Sequence, residues 1–576
     1  MKYGMIATGS KEASHAALDI LKLGGNAFDA SISAVITSMT SEVNLTSMAG
    51  GGAMLAYEKG NNPILYDFFV DAPPIRENKS FEFYKTKIDF GGTEQLFHIG
   101  KGSVAIPGNI KGLLYAHSKL GVLPLTEVLS PAKDIARNGV VLSKSQSYIT
   151  SLLEQILNTS EATKKIFHKN GKLISEGETF LNPDFADFLD WIGEEGDRPF
   201  YEGEIGRKLV SYLGDDGLIK IEDLNSYKVV ERAPLSHAIK DKLFFTNPAP
   251  SVGGTLIVFF LELLNRVNKD YHFDNNLLIR LMIATTNARY RFYKDPNSQE
   301  QLSQLLTEDI LDYYSNVVSR NSILDTNDFL DNGLGSTTHV SIIDRMGNAS
   351  SITTTNGESS GHIIPGTGVI LNNMLGEQDL NPLGFHNWVD KKRMPTLISP
   401  SIIIDKNGEV QLTVGSAGSN RIRSAVTQVM MYYLIKKMNS YYEEDLKKLG
   451  FISSNDNFLF KNRIMFPILN FRSETIAYGG RALEDFGPKY LNSSDSVLYK
   501  KNRNLYFTKE FISSVKKKGY AFLVEGYFDV LSLNQLGYSN SASPSGTALT
   551  IQQLEAVSRY TNKILLCFDN DEAGLK

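Results

Sequence analysis

The most informative stretch of this chain is Gly335-Ser336-Thr337-Thr338-His339-Val340-Ser341-Ile342-Ile343-Asp344. Turn-prone residues lead into Thr-Thr-His, after which apolar and polar side chains alternate as they do along a β-strand. A second strand-like run, 349–355, follows the turn at 345–348. The pattern predicts a β-hairpin with a threonine at its leading edge. Taken alone, it is typical of an ordinary hairpin, since threonine favours strands.

Further short motifs follow this hairpin in a fixed order. They are Thr353-Thr354-Thr355-Asn356-Gly357, Pro365-Gly366-Thr367-Gly368 and Leu371-Asn372-Asn373-Met374. The series resembles the small subunit of gamma-glutamyltranspeptidases, whose precursors cut themselves before the first Thr of Thr-Thr-His. By this resemblance the cut falls between Ser336 and Thr337, and Thr337 becomes an N-terminal nucleophile.

The residue type suits that role. A threonine hydroxyl is a weak nucleophile and needs a nearby base. A newly exposed α-amine has an ordinary pKa of about 7.7–8.0, so part of it is neutral near pH 7 and can accept the hydroxyl proton. An internal threonine has no such amine. We therefore expect self-cleavage and activity to be linked.

Segments upstream of the hairpin resemble the large subunit of the same family. They include Gly24-Gly25-Asn26-Ala27-Phe28-Asp29-Ala30, the glycine triplet 50–52, Ser103-Val104-Ala105-Ile106-Pro107-Gly108 and the stretch 248–254. Apolar spacing in 12–23 and 26–43 predicts two helices. The resemblance covers about residues 1–435, divided into a large-subunit-like region, 1–336, and a small-subunit-like region, 337–435. It implies an α/β fold, the four-layer αββα N-terminal-nucleophile hydrolase sandwich.

The same resemblance assigns roles around the nucleophile. Thr355 is expected to act with Thr337 in catalysis. Binding of the acyl group is expected from Asn356, Glu377, Asp379 and Thr396, and the oxyanion hole from Gly418 and Ser419. Fixed donors at an oxyanion are worth roughly 3–4 kcal/mol each in other enzymes. Exposed hairpin positions remain the alternative for Thr355 and Asn356, and an ordinary Gly/Ser turn for 415–419.

The sequence departs from the family where glutamyl-specific members hold the substrate α-carboxylate. Their Asp-x-Arg-Glu segment reads Asp67-Phe68-Phe69-Val70 here, so an apolar ring replaces a cation that binds carboxylates bidentately. Leu397 also stands where the second of two serines is expected. Acyl chemistry is therefore better supported than glutamyl specificity. The candidate replacement cations are Arg393, Arg421 and Arg423, although a surface position is the favoured interpretation of each.

A second set of motifs begins near residue 436. It includes Phe460-Lys461-Asn462-Arg463-Ile464, Gly479-Gly480-Arg481-Ala482-Leu483, Val524-Glu525-Gly526-Tyr527-Phe528-Asp529 and Cys567-Phe568-Asp569-Asn570-Asp571. This set resembles the catalytic core of bacterial DNA primase, including the first two acidic motifs of its Toprim fold. We expect a junction at 436–455 and a truncated α/β Toprim-type fragment at 456–576, because the family continues with a third acidic pair.

Charge supports this second resemblance. Eight basic and four acidic residues between Lys461 and Arg503 leave a local charge of +4, which suits phosphate groups. Nucleotide or nucleic-acid contacts are expected from Lys461, Arg463, Arg481, Lys489, Tyr490, Asn492 and Lys501. A Mg²⁺ ion is expected at Glu525, Asp569 and Asp571. A solvated charged face is the alternative for the basic residues. Helix caps or turns are the alternative for the three acidic residues.

Composition limits the class of protein further. The net charge of −5 over 576 residues argues against a protein that coats nucleic acid throughout. A single cysteine, Cys567, excludes disulfides within the chain. The N-terminus lacks a signal-peptide core, and the apolar run at 256–264 is too short to span a membrane. We expect a cytoplasmic protein with no cofactor in its acyl-transfer region.

Together these observations predict an autoprocessing gamma-glutamyltransferase-like acyl transferase or hydrolase. Its substrates would be gamma-glutamyl or related acyl amides of the glutathione type, cleaved through an acyl-enzyme on Thr337. One alternative is a DNA primase fragment that binds single-stranded DNA, and another is a non-functional chimera. The junction is either a genuine fusion or an artefact of gene assembly, and the sequence leaves both open.

Overall fold

The computed structural model divides the chain into two compact units, Met1–Tyr432 and Tyr433–Lys576. It describes residues 3–75, 81–89, 94–268, 275–292, 299–320, 337–381, 383–418, 421–438, 463–471, 475–482, 490–493, 495, 499–544 and 549–568. The boundary between the units falls inside a helix, Arg421–Met438. Ser336 and residue 455, where two of the expected domain boundaries lie, are outside the described residues.

Several helices of the first unit begin at residues whose side chains satisfy free backbone N–H groups. Asn26, for example, forms a capping box with Asp29 at the start of α2. The helices are α1 (Lys11–Lys22), α2 (Ala27–Ser41), α3 (Asn109–Leu120), α4 (Leu125–Asn138), α5 (Lys144–Leu152), α6 (Glu154–Leu157), α7 (Glu161–Phe167), α8 (Pro183–Glu195), α9 (Arg198–Tyr201), α10 (Glu204–Leu213), α11 (Ile221–Ser226), α12 (Val252–Val267), α13 (Asn275–Phe292), α14 (Gln299–Gln304), α15 (Glu308–Ser319) and α16 (Arg421–Met438). The two helices predicted near the N-terminus correspond to α1 and α2.

Two antiparallel sheets form the centre of this unit. The first runs in the order β1 (Gly4–Ala7), β13 (Thr338–Asp344), β14 (Ala349–Thr355), β2 (Gly51–Tyr57), β3 (Ile64–Phe68) and β10 (Val230–Arg232). The second runs in the order β11 (Leu235–Ile239), β12 (Lys242–Thr246), β15 (Ser401–Asp405) and β16 (Val410–Val414). Smaller pairs are β4 (Tyr84–Asp89) with β5 (Glu94–Ile99), β6 (Val140–Val141) with β9 (Thr179–Phe180), and β7 (His168–Lys169) with β8 (Lys172–Leu173). Short 3₁₀ turns lie at Lys101–Ser103, Met374–Gly376 and Gln378–Leu380.

The predicted hairpin is β13 and β14, joined by the turn at 345–348. Its register pairs Thr338 with Thr354 and His339 with Thr353. Strand β2 lies on the other side of β14 and pairs Gly51 with Thr355. A side chain at Gly50 would collide with the Thr355 carbonyl oxygen. The glycine triplet therefore permits close backbone packing, as the sequence analysis favoured.

Contacts between elements give the order of the layers. Every residue of α2 is buried, and Ser31 of α2 lies 2.7 Å from Ser350 of β14 through their hydroxyl oxygens. On the other face, the Thr413 hydroxyl of β16 donates to Ser341 of β13 at 3.1 Å. Helices then cover the second sheet, where α12 packs on β11. This is the expected αββα arrangement, with the hairpin in its interior.

The second unit is also α/β. Strands β17 (Arg463–Leu469), β18 (Thr475–Ala482) and β19 (Tyr490–Asn492) form an antiparallel sheet. A mixed sheet has the order β20 (Tyr506–Phe507), β22 (Ser541–Ser543), β21 (Ala521–Val524) and β23 (Ile564–Cys567), with β21 parallel to both neighbours. Its helices are α17 (Phe511–Lys518), α18 (Tyr527–Gln535) and α19 (Ile551–Ser558). In the described parts of both units, no helix is long and apolar enough to cross a membrane.

Candidate active site

Thr337 immediately precedes strand β13, at the end of the hairpin where β14 finishes. Because Thr338 pairs with Thr354, the register places Thr337 opposite Thr355. Both threonines are enclosed, with exposed fractions of 5 % for Thr337 and 8 % for Thr355. Alternation along the strands turns both side chains toward the face that carries His339 and Thr353. Ser336, the other side of the expected cut, lies outside the described residues.

Thr355 and Asn356 are buried, so the exposed-hairpin alternative is wrong for both. The Thr355 hydroxyl oxygen accepts a hydrogen bond from the Gly357 backbone N–H at 3.1 Å. The Asn356 amide group donates to the Leu371 carbonyl at 3.4 Å. Its Oδ1 atom is enclosed and has no hydrogen-bond partner among the described residues. That oxygen is an acceptor available to a bound molecule.

Glu377, from a different segment of the chain, lies beside Gly357, the residue that follows Asn356. Gly357 has a φ of 60°, and a side chain there would collide with the Oε1 atom of Glu377. That Oε1 atom is also enclosed and has no partner among the described residues. Burial, with the nearby carboxylates of Glu358 and Asp379, raises the pKa of Glu377 well above its ordinary value. Glu377 therefore lies in an acidic cluster with Glu358 and Asp379, beside Gly357, the residue after Asn356.

Thr396 and Gly418 are the remaining predicted site residues that the structure describes. The Thr396 hydroxyl oxygen accepts from the Ile398 N–H at 3.2 Å, so it caps its own loop. Gly418 is buried, with a φ of 109° that side-chain-bearing residues rarely adopt. Ser419, the second expected oxyanion-hole residue, lies outside the described residues.

His339, to which the sequence assigned no role, connects strand β13 with β14 and with the loop that begins at Gly415. Its Nδ1 atom lies 2.8 Å from the Thr353 hydroxyl and its Nε2 atom 2.8 Å from the Ser341 hydroxyl. Gly415, which opens the loop to Gly418, lies directly on the imidazole ring. Burial lowers the pKa of His339 to about 3, so the ring is neutral. The imidazole is thus a rigid spacer between the nucleophile strand and the candidate oxyanion loop.

The position that holds arginine in glutamyl-specific relatives is filled by a buried ring. Phe69 is 1 % exposed, and its carbonyl oxygen accepts hydrogen bonds from Tyr227 at 2.7 Å and from Arg393. The Arg393 side chain is itself buried, and its Nε atom lies 3.5 Å from Asp67 and 3.3 Å from Asp71. A surface position for Arg393 was therefore wrong. Its guanidinium group is engaged in an internal ion-pair network behind Phe69.

The other two candidate cations differ from each other. Arg421 is exposed, as expected of a surface charge, and its backbone N–H donates to the Gly418 carbonyl at 2.9 Å. Arg423 is not a surface charge, since its guanidinium donates to the Thr286 hydroxyl at 2.9 Å. Burial and the nearby Arg289 lower the pKa of Arg423 to about 10.

In the second unit, the described part of the basic patch is interleaved with aromatic rings. The Arg481 guanidinium lies 4.6 Å from the ring centre of Phe528 and 5.9 Å from that of Tyr490. Arg463 donates to the Gly480 carbonyl at 3.3 Å, and Asn492 accepts from the Tyr527 hydroxyl. The Lys501 N–H donates to Asp495 at 3.0 Å. Lys461 and Lys489 lie outside the described residues.

The expected metal ligands are placed only in part. Glu525 directly follows β21, at the carboxyl edge of a parallel pair with β23. Asp569 and Asp571 lie just beyond β23 in sequence but outside the described residues. Within the described ranges, no cluster of three His, Cys, Asp or Glu side chains could hold a metal ion. The metal site therefore stays a prediction.

Comparison with known families agrees with both parts of this geometry. A family model described as gamma-glutamyltranspeptidase matches residues 13–443. Models described as DNA primase catalytic core, N-terminal domain, and as Toprim-like match residues 424–512 and 522–576. The first two matches overlap within and just beyond α16.

Individual relatives include glutathione hydrolases and an acylase. The glutathione hydrolase proenzyme of Escherichia coli (strain K12) is 29 % identical over 455 residues, covering 75 % of this chain and 78 % of the relative. The acylase ACY 1 proenzyme of Pseudomonas sp. (strain SE83) is 27 % identical over 455 residues, covering 76 % and 80 %. The crystal structure of cephalosporin acylase from Bacillus halodurans has the same fold, with a TM-score of 0.60 at 22 % identity over 75 % of this chain and 81 % of that one.

Proposed function

This chain belongs to the gamma-glutamyltranspeptidase family of transferases and hydrolases, and we propose that Thr337 is its nucleophile, released by self-cleavage after Ser336. The observation that carries the assignment is the position of Thr337. It is buried at the head of β13, opposite Thr355, on the side of the sheet where Gly415 meets His339. Nucleophile, neighbouring hydroxyl and candidate oxyanion loop are thereby brought to one end of the two-sheet interior.

The reaction proceeds in two acyl transfers. The Thr337 α-amine accepts the hydroxyl proton, directly or through water, while the hydroxyl oxygen attacks the substrate carbonyl carbon. Backbone N–H groups of the loop at Gly418 stabilise the resulting oxyanion. The C–N bond then breaks, the leaving amine takes the proton, and an ester to Thr337 remains. Water completes hydrolysis by attacking this ester, whereas an acceptor amine completes transfer.

The side chains near Thr355 favour an acyl group that carries a cation. Asn356 and Glu377 each present an enclosed oxygen without a described partner, and Glu358 and Asp379 add negative charge. An ammonium group would satisfy these acceptors and favour the ionised form of Glu377. At the position of the family arginine, the described residues offer a carboxylate no free cation, because Phe69 replaces the arginine and Arg393 is already bound to Asp67 and Asp71. We therefore propose that amine-bearing acyl amides without an α-carboxylate are better substrates than glutathione, whose glutamyl group carries both an ammonium group and a carboxylate.

Self-cleavage is tested by intact-mass analysis of the purified protein during incubation. We expect fragments corresponding to residues 1–336 and 337–576. Thr337→Ala should remain a single chain because the attacking hydroxyl is lost, whereas Thr337→Ser keeps a hydroxyl and should be cut. A folded wild-type protein that stays uncut would refute the proposal.

Substrate preference is tested by competition. Glutathione is set against amides of matched length that carry an ammonium group, a carboxylate or neither on the acyl chain. We expect the ammonium compound to have the highest kcat/KM. Losing a charge-assisted carboxylate contact costs on the order of 2–5 kcal/mol when its partner is left buried. Efficient turnover of glutathione would show that another cation binds its carboxylate.

A second function is favoured by the family matches at 424–512 and 522–576. We propose that the Arg481 region binds single-stranded DNA weakly, through phosphate contacts and stacking on rings such as that of Tyr490, which is 40 % exposed. Glu525, Asp569 and Asp571 have the oxygen ligands that Mg²⁺ prefers, and a bound Mg²⁺ would orient phosphate groups there. DNA binding that weakens with salt would distinguish this function from an inert fragment.

A further inference from the structure

A buried carboxylate, Glu42, lies on the face of strand β13 opposite to the one that carries the Thr337 side chain. It follows the last residue of α2 and is 2 % exposed. The Thr338 hydroxyl donates to its Oε2 atom at 2.7 Å, and the Ser38 hydroxyl donates to its Oε1 atom at 3.1 Å. A side chain at Gly9 would come within 2.9 Å of the carboxyl group, so backbone closes over it. Such an enclosed acid needs its hydroxyl donors to remain in place.

Thr338 is the residue next to the proposed nucleophile, and its side chain points to the opposite face of the strand. On this face, Thr354 of β14 lies 2.8 Å from Thr46 through their hydroxyl oxygens. On the other face, His339 contacts Thr353 and Ser341. Strand β13 is therefore bonded to Glu42 on one face and, through the His339 imidazole, to Thr353 of β14 on the other.

The hydrogen bond between Thr338 and Glu42 matters because the proposed cleavage changes the position of Thr337 in the chain. Once the chain is cut before it, Thr337 is a terminal residue, and terminal residues are poorly ordered unless they are tied down. The bond from Thr338 to Glu42 is one residue away and crosses 296 positions of sequence. This hydrogen bond does not depend on the residues that cleavage separates from Thr337.

We propose that Glu42 is a positioning residue of the acyl-transfer reaction, which holds the Thr337 nucleophile in place through the hydroxyl of Thr338. The inference rests on the proposed function of Thr337. A misplacement of about 1 Å at a reacting atom typically costs on the order of 100-fold in rate. Loss of the hydrogen bond between Thr338 and Glu42 should therefore lower kcat by about 10- to 100-fold and leave KM nearly unchanged, since the residues proposed to bind the acyl group are others.

The test uses three single variants of the full chain. Thr338→Val keeps the shape of the side chain but removes its hydroxyl, and Thr338→Ser keeps the hydroxyl. Ser350→Ala is the matched structural control, because it removes a buried 2.7 Å hydroxyl contact to α2 on the same sheet, farther along β14. Kinetics are measured on the cleaved fraction of each protein with an acyl p-nitroanilide that the wild type hydrolyses, together with the melting temperature.

We expect T338V to lose kcat selectively, T338S to retain it, and S350A to lower the melting temperature without the kcat loss. In a Glu42→Met background, T338V should cost much less than it does alone, because the acceptor of the Thr338 hydroxyl has already been removed. Wild-type kcat in T338V, or an equal kcat loss in S350A, would overturn the inference while leaving the nucleophile assignment intact. An uncut, inactive wild-type protein would overturn both.

Discussion

Replacing Gly415 with alanine would test the packing of the candidate oxyanion loop on His339. A Cβ atom at this position would lie 2.8 Å from Nε2 of His339 and closer still to Cε1 and Nδ1 of the ring. Ordinary contact begins only at 3.4 Å. The ring cannot simply rotate away, because both of its nitrogen atoms are hydrogen-bonded within the sheet. The loop, rather than the ring, is therefore expected to move.

The required displacement is about 1 Å, and a shift of this size near reacting atoms costs on the order of 100-fold in rate. A fully lost oxyanion donor costs roughly 10²–10³ in kcat in other enzymes, which sets a similar scale. We expect Gly415→Ala to lower kcat by about 100-fold with little change in KM. Steady-state kinetics with an acyl p-nitroanilide would measure both.

Gly193 provides the matched control for this glycine substitution. It lies in helix α8, and a Cβ atom there would meet its nearest neighbours at 3.3 and 3.5 Å. Gly193→Ala should keep wild-type kcat and can gain stability, since alanine is the better helix former by about 1 kcal/mol. Wild-type kcat in Gly415→Ala would refute the argument that the imidazole sets the position of the loop.

Three further predictions concern Gly357 beside Glu377, His339 and the second unit. Gly357→Ala should raise KM more than it lowers kcat, because the new methyl group and the unfavourable φ of 60° displace the Glu377 carboxyl group; kinetics with an amine-bearing acyl amide would measure it. His339 is neutral when folded, with a pKa of about 3, and protonates near 6.5 when unfolded, so its contribution to stability should be lost as pH falls from about 6.5 toward 3. Urea unfolding across that range should show a shallower loss in His339→Gln than in the wild type, and equal slopes would contradict the assignment. Single-stranded DNA binding measured by fluorescence anisotropy should weaken as salt rises and weaken further in Arg481→Gln, whereas salt-independent binding would exclude a phosphate-based contact.

The sequence was sufficient to predict secondary structure where the pattern is local or periodic. Alternation in 338–344 and 349–355 predicted the hairpin, and helical spacing predicted α1 and α2. Thr337 and Thr355 could be singled out because their motifs resemble one family, and the hairpin register then places them opposite each other.

Long-range partners were beyond the same reasoning. Lys391-Lys392-Arg393 is locally typical of an exposed basic turn, yet Asp67 and Asp71, more than 300 positions earlier, enclose the guanidinium of Arg393. Nothing near Glu42 or Thr338 in sequence indicates that the two meet. For His339 a weak signal existed, since its two hydroxyl partners lie at positions that alternation and register place on one face.

The strand order of the first sheet determines how a cut chain would behave. β13 and β14 follow the proposed cleavage point, yet they lie between β1 and β2, which precede it. Two polypeptides produced there would share one continuous hydrogen-bonded sheet. Separating them would mean pulling two inner strands out of the interior, so the products should run apart under denaturing conditions and together in a native column. The same interleaving implies that separately expressed halves would have to fold around each other rather than dock as finished subunits.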